Sequence, residues 1–268
     1  MVAIAPKISL HPQLAACIEV LFGLGLWYSL ATFSLWWQVV LWVVVRLGLW
    51  VALTSVVYYG AGLKRWDHLL CLASFGLGML GIVLFIDHTD LSWSWYATEF
   101  LFVIVPAASF VVLPSGSSSL PYVPKPARRW QLCLSTLGVA GLWSGIGALG
   151  DFNIAPLGSW LWIIAGVLCS TLLAWWWWRR YEIFYPRRLF FWVLVFFLLF
   201  LEAAWVVMFW PLIFLSASIV LSTVWYLLWL IGRFHLSKEG VDWRRQAPLF
   251  VLTGLLLLIF LLFIARWK

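Results

Sequence analysis

From Phe190 to Trp210 the chain carries one charge, Glu202, among apolar and aromatic residues. A run of that length crosses the hydrocarbon core of a bilayer as a helix, which takes roughly 20 residues. Comparable runs recur from one end of the chain to the other. They raise the hydrophobic share to 65% and hold charged residues to 10%, outside the range of soluble domains. No ten-residue alternation of apolar and polar positions is present, so a membrane barrel is excluded and an all-α, polytopic transmembrane helix bundle is expected. Charges and turn residues divide the chain into about nine spans, at 14–33, 37–59, 68–87, 93–113, 131–150, 157–178, 189–208, 212–232 and 248–266. Residues 1–268 are read as a single integral membrane domain.

Basic residues test this division, because Lys and Arg gather in cytoplasmic loops. Lys7 precedes the first span. Lys64 and Arg65, then Lys125, Arg128 and Arg129, then Arg179, Arg180, Arg187 and Arg188, then Arg233, Lys238, Arg244 and Arg245 fall in every second connection. The connections between carry only Asp87 and Asp90, or Asp151. The pattern predicts a cytoplasmic N-terminus and a C-terminus outside, with Arg266 and Lys268 as exceptions. One span more or fewer would put a basic loop outside.

The net charge of +7 is therefore spread over separate short loops. It predicts contact with anionic headgroups at the cytoplasmic face, not a nucleic-acid surface. The first span has one basic residue before it and no small-residue cleavage site, and is read as retained. Short loops and this charge pattern suit a prokaryotic plasma membrane.

Two segments echo one another. "KRWDHLLCLASFGLGML" from Lys64 and "RRWQLCLSTLGVAGLW" from Arg128 share a basic-Trp start, Leu-Cys-Leu and a glycine-bearing helix. They suggest a weak hairpin repeat over 64–113 and 128–178. Many of the 23 tryptophans stand at span ends, including Trp36, Trp37, Trp93, Trp95 and Trp175 to Trp178, where interfacial rings belong. Gly141 and Gly145 form a GxxxG suited to close helix approach. Cys17, Cys71, Cys133 and Cys169 lie within spans and are expected as small buried residues without disulfides or a CxxC site.

Four charges fall inside spans: Glu19, Arg46, Glu99 and Glu202. Counting ~1.5 Å per residue puts Glu202 ~12 Å below the outer edge, Arg46 ~15 Å, Glu99 ~9 Å, and Glu19 ~10 Å above the inner edge. Arg46 and Glu202 are nearly level, so a salt bridge between them is expected, with Glu99 in competition and Glu19 snorkelling toward the cytoplasm or bonded to a neighbouring span. Gln38, Trp42, Arg46, Trp50, Thr54 and Tyr58 recur every four residues as a polar-aromatic stripe that faces protein, Trp42 and Trp50 stacking on the guanidinium.

Asp87, His88, Asp90 and Asp151 make an external acidic cluster whose spacing matches no specific metal site. His11, His68 and His235, near loops, are expected to be solvated. No P-loop, HExxH or GxSxG is present, and no catalytic residue, metal or cofactor is assigned. Three function classes remain. The first is a non-enzymatic membrane-embedded subunit or assembly factor with a membrane protein partner. The second is a small proton- or cation-coupled transporter or channel using Glu99, Glu202 and Arg46. The third is an intramembrane enzyme acting on a lipid or lipid-linked substrate.

Overall fold

Long apolar runs punctuated by proline, glycine and charge fold into helices wherever the chain is described. The computed structural model describes residues 11–30, 36–58, 62–83, 93–112, 125–151, 159–179, 186–236 and 243–265. Among them are nine α-helices and no strand: α1 (Pro12–Leu30), α2 (Trp36–Val57), α3 (Gly62–Val83), α4 (Trp93–Val112), α5 (Lys125–Asp151), α6 (Ser159–Arg179), α7 (Pro186–Phe209), α8 (Phe214–Leu236) and α9 (Trp243–Ile259). A π-helical turn, Phe260–Ile264, extends α9. Each expected span overlaps one described helix, whose start differs from the expected one by up to six residues, as at α3 and α5. Among the described residues five stretches are long and apolar enough to cross a membrane: Arg129–Ala148, Trp160–Arg179, Arg188–Phe209, Phe214–Leu236 and Gln246–Ile264.

Proline sets several boundaries. Pro12 and Pro186 open α1 and α7, where a missing N–H costs nothing because the first turn has no intrahelical acceptor for it. Pro211 follows α7, and a tight turn in which Leu212 N–H donates to the Trp210 carbonyl at 2.7 Å leads into α8. Pro106 lies inside α4, with consequences described below.

The contacts gather into two compact units, residues 1–138 and 139–268, divided within α5. In the first unit α1 packs on α2 and α4, and α3 packs on the same two helices, which closes a ring of four. Its interior holds Trp42, Trp50, Phe75, Met79, Phe102 and Phe110, all buried. The start of α5 lies against α3. A Cβ at Gly78 would fall 2.1 Å from the Gly138 carbonyl oxygen, and one at Gly138 would fall 2.6 Å from that of Ser74. With Ser135 Oγ 4.0 Å from Cys71 Sγ, contacts advance along both helices together, so the two echoing segments pack side by side in parallel.

In the second unit α7 packs on α6 and α8, α6 touches α8, and α9 packs on α8. Trp143, Trp178, Trp225 and Trp229 are fully buried there. Their indoles are steered by polar partners: Trp143 N–H donates to Ser170 Oγ at 3.2 Å, Trp225 N–H to the Ser170 carbonyl at 2.8 Å, and Trp178 N–H to the Trp229 carbonyl at 3.0 Å. Tryptophan is thus core material in this chain as well as belt material. Gly141 and Gly145 are buried, and a backbone touch between helices falls at Gly78 and Gly138. Of the cysteines only Cys71 is buried; Cys17, Cys133 and Cys169 are exposed, contrary to expectation, and none is in a disulfide.

Candidate functional site

Arg46 lies near the middle of α2, and burial there demands an acceptor because an unpaired guanidinium is costly away from water. Its partner is Glu19, not Glu202: Arg46 Nη2 donates to Glu19 Oε1 at 2.7 Å, and the two side chains are 2% and 0% exposed. Of its two expected fates, Glu19 takes the bond to a neighbouring span, α2, and not the snorkelling one. Its Oε1 also accepts the Trp50 indole N–H at 3.0 Å. The guanidinium carbon lies 5.5 Å from the Trp42 ring, 5.5 Å from the Trp50 ring and 5.6 Å from the Phe102 ring, so aromatic faces replace its water. Gly23, one turn beyond Glu19 on α1, lets the guanidinium close in; a Cβ there would sit 3.3 Å from Nη2.

A second acceptor comes from the backbone. Proline has no N–H, so Pro106 leaves the carbonyl four residues before it, Phe102, without its helical donor. Arg46 Nη2 donates to that carbonyl. The proline thus exposes an acceptor in the core, and the arginine occupies it. Sequence reasoning passed over this pairing, although an intraspan proline four residues after a position level with a buried cation is a usable signal. Three buried atoms, Glu19 Oε2, Arg46 Nε and Arg46 Nη1, have no hydrogen-bond partner among the described residues.

The rest of the α2 stripe turns inward with Arg46. Trp42, Trp50, Thr54 and Tyr58 are buried, and Gln38 is half-buried. Thr54 returns its hydroxyl to the Trp50 carbonyl at 2.7 Å. At the far end Tyr58 meets His68 edge to face at 5.7 Å. His68 was expected in solvent; it is fully buried, with Nε2 at 2.8 Å from Ser109 Oγ and its ring against Phe110. Ser109 in turn donates to the Pro106 carbonyl. His235 is exposed and stacks on Trp192 at 4.8 Å.

Glu202 belongs to a different setting. It is exposed on α7, in a cleft of about 380 Å³ between α6 and α7 lined by Trp160, Ile163, Ile164, Leu198, Leu201 and Trp205. It makes no hydrogen bond or ion pair among the described residues. Of the four charges expected inside spans, Arg46 and Glu19 are paired within the first unit, and Glu202 belongs to the second. The Glu99 side chain lies outside the described residues, as do Asp87, His88, Asp90 and the Asp151 side chain. No group of three His, Cys, Asp or Glu suited to a metal ion occurs among the described residues. No family model, no curated protein and no solved structure matches this chain.

Proposed function

We propose that the chain is a non-enzymatic, membrane-embedded subunit or assembly factor, crossing a prokaryotic plasma membrane nine times with its N-terminus cytoplasmic and its C-terminus outside. The observation that carries this reading is Glu202, an exposed acid inside α7 with no hydrogen-bond or ion-pair partner among the described residues. An ionisable group inside a span marks function by default, and one that faces outward marks a surface to be covered. The inward charge has a sufficient structural role, because Arg46 ties α1, α2 and α4 together through Glu19 and the Phe102 carbonyl. Basic loops on the cytoplasmic side would hold anionic headgroups.

Native mass spectrometry of the particle extracted in mild detergent from its own membrane tests the reading. A stoichiometric protein partner is the expected result; a chain that carries only lipid overturns it.

One observation favours a second reading, a proton- or cation-coupled transporter: the unpartnered atoms of Glu19 and Arg46 beside the proline break of α4. Proton flux in proteoliposomes that Glu19→Gln abolishes while the fold persists would establish transport and displace the subunit reading.

A further inference from the structure

Glu202 lies 7 residues before the end of α7 at Phe209, which is ~11 Å along the helix axis. The six side chains around it are apolar or aromatic, and the cleft opens outward. Trp160 and Trp205 meet edge to face at 6.2 Å beside it, and both are exposed, so their rings stand ready beside the carboxylate. A site that pairs one carboxylate with indole faces in hydrocarbon has the chemistry to take a single cation flanked by apolar groups.

A second copy of this chain does not supply that cation. Among the described residues Arg46 is the one Lys or Arg at mid-helix, and it is buried and paired with Glu19. The remaining described basic residues stand within about five residues of a helix end, as do Lys64 and Arg65 on α3, Arg129 on α5, Arg179 on α6 and Arg188 on α7. A symmetric contact through α6 and α7 would also bring one Glu202 toward another, which like-charge repulsion opposes. An amine headgroup at the bilayer surface lies ~11 Å above the carboxylate, whereas a lysine or arginine on a neighbouring span meets it at its own depth.

We propose that the α6–α7 cleft is the docking site for a transmembrane helix of another protein that carries one Lys or Arg level with Glu202. The charge pairs with the carboxylate between Trp160 and Trp205, and apolar side chains of the partner fill the cleft beside Leu198 and Ile164. This rests on the subunit reading and names the chemistry of the partner.

The probe is a synthetic polyleucine transmembrane helix bearing one lysine at the depth of Glu202, set against its all-leucine twin. Association with the full-length, fluorophore-labelled protein is read by energy transfer in phosphatidylcholine vesicles. The expected result is about tenfold tighter association of the lysine helix, in line with ~1–2 kcal/mol for polar contacts between membrane helices. Glu202→Gln should erase the preference without changing the monodisperse protein peak, and Glu202→Lys should shift it to a glutamate-bearing helix.

Equal association of the two probes, or a lysine preference that survives Glu202→Gln, overturns the proposal. So does phosphatidylethanolamine that stays bound in native mass spectrometry through Glu202 and displaces the lysine helix, for then the occupant is an amine lipid. A stoichiometric partner from the native membrane that Glu202→Gln does not release leaves the subunit reading standing and removes only this inference.

Discussion

Trp50 and Arg46 converge on one oxygen of Glu19, so each contributes separately to holding α1 against α2. Removing one member of a buried pair strands the other, and Arg46→Ala or Glu19→Ala is expected to lower stability by about 3–5 kcal/mol, read as detergent-resistant melting. Replacing both, as Glu19→Leu with Arg46→Met, should recover most of that loss, because two apolar groups strand no charge. If the double variant melts as low as the worse single one, the pair is not the reason for the loss. Trp50→Phe keeps the ring near the guanidinium and deletes only the N–H donor to the carboxylate, so about 1.5–3 kcal/mol is expected from that change. The charged residues of this pair were legible in the sequence, but the pairing was not. Depth counted from span ends is a single coordinate, and it made Arg46 and Glu202 look level. From opposite faces of a ~30 Å core, Glu19 and Arg46 also differ by only about 5 Å, which an arginine side chain spans. Adjacency of α1 and α2 decides between the two acids. His68 was missed for a related reason: α3 begins at Gly62, earlier than its apolar run, which carries the histidine into the helix and against Ser109.

Glycine separates two kinds of helix face. A Cβ at Gly76 would lie 2.6 Å from the Trp50 ring, and one at Gly232 would lie 2.4 Å from the Trp178 ring. Both rings are buried and hydrogen-bonded through their indole N–H, so they have little freedom to retreat. Gly76→Ala and Gly232→Ala are expected to cost about 1–3 kcal/mol each as overpacking. Gly78→Ala is expected to be worse, since the obstacle is the Gly138 backbone and α3 must part from α5. Gly25, Gly48 and Gly254 have nothing within 4 Å of a built Cβ. Alanine there should raise stability by about 0.5–1 kcal/mol, the ordinary gain from glycine to alanine in a helix. A melting series over these six positions checks the contrast, and equal effects at both sets would contradict the packing described. Helix positions were legible because run length and proline are local signals. The glycine contacts were not, because Gly76 and Gly25 look alike until a neighbour is known.

At the scale of the whole molecule, composition and the alternation of basic loops prescribe a helical membrane protein, and the described residues form helices throughout. What composition does not carry is the direction each polar side chain faces. Arg46 and Glu202 are both lone charges in apolar runs, yet one ties helices together inside its unit and the other stands on a surface. Their variants should therefore fail differently. Glu19→Gln is expected to lower the melting temperature, and Glu202→Gln is expected to leave it unchanged while releasing the partner. The measurement that tests this most directly is native mass spectrometry, with a temperature ramp, of wild type and these two variants extracted from the native membrane. The account predicts a stoichiometric partner on wild type and on the folded fraction of Glu19→Gln, and none on a fully folded Glu202→Gln. A wild-type particle without a protein partner, or a Glu202→Gln particle that melts early, would contradict it.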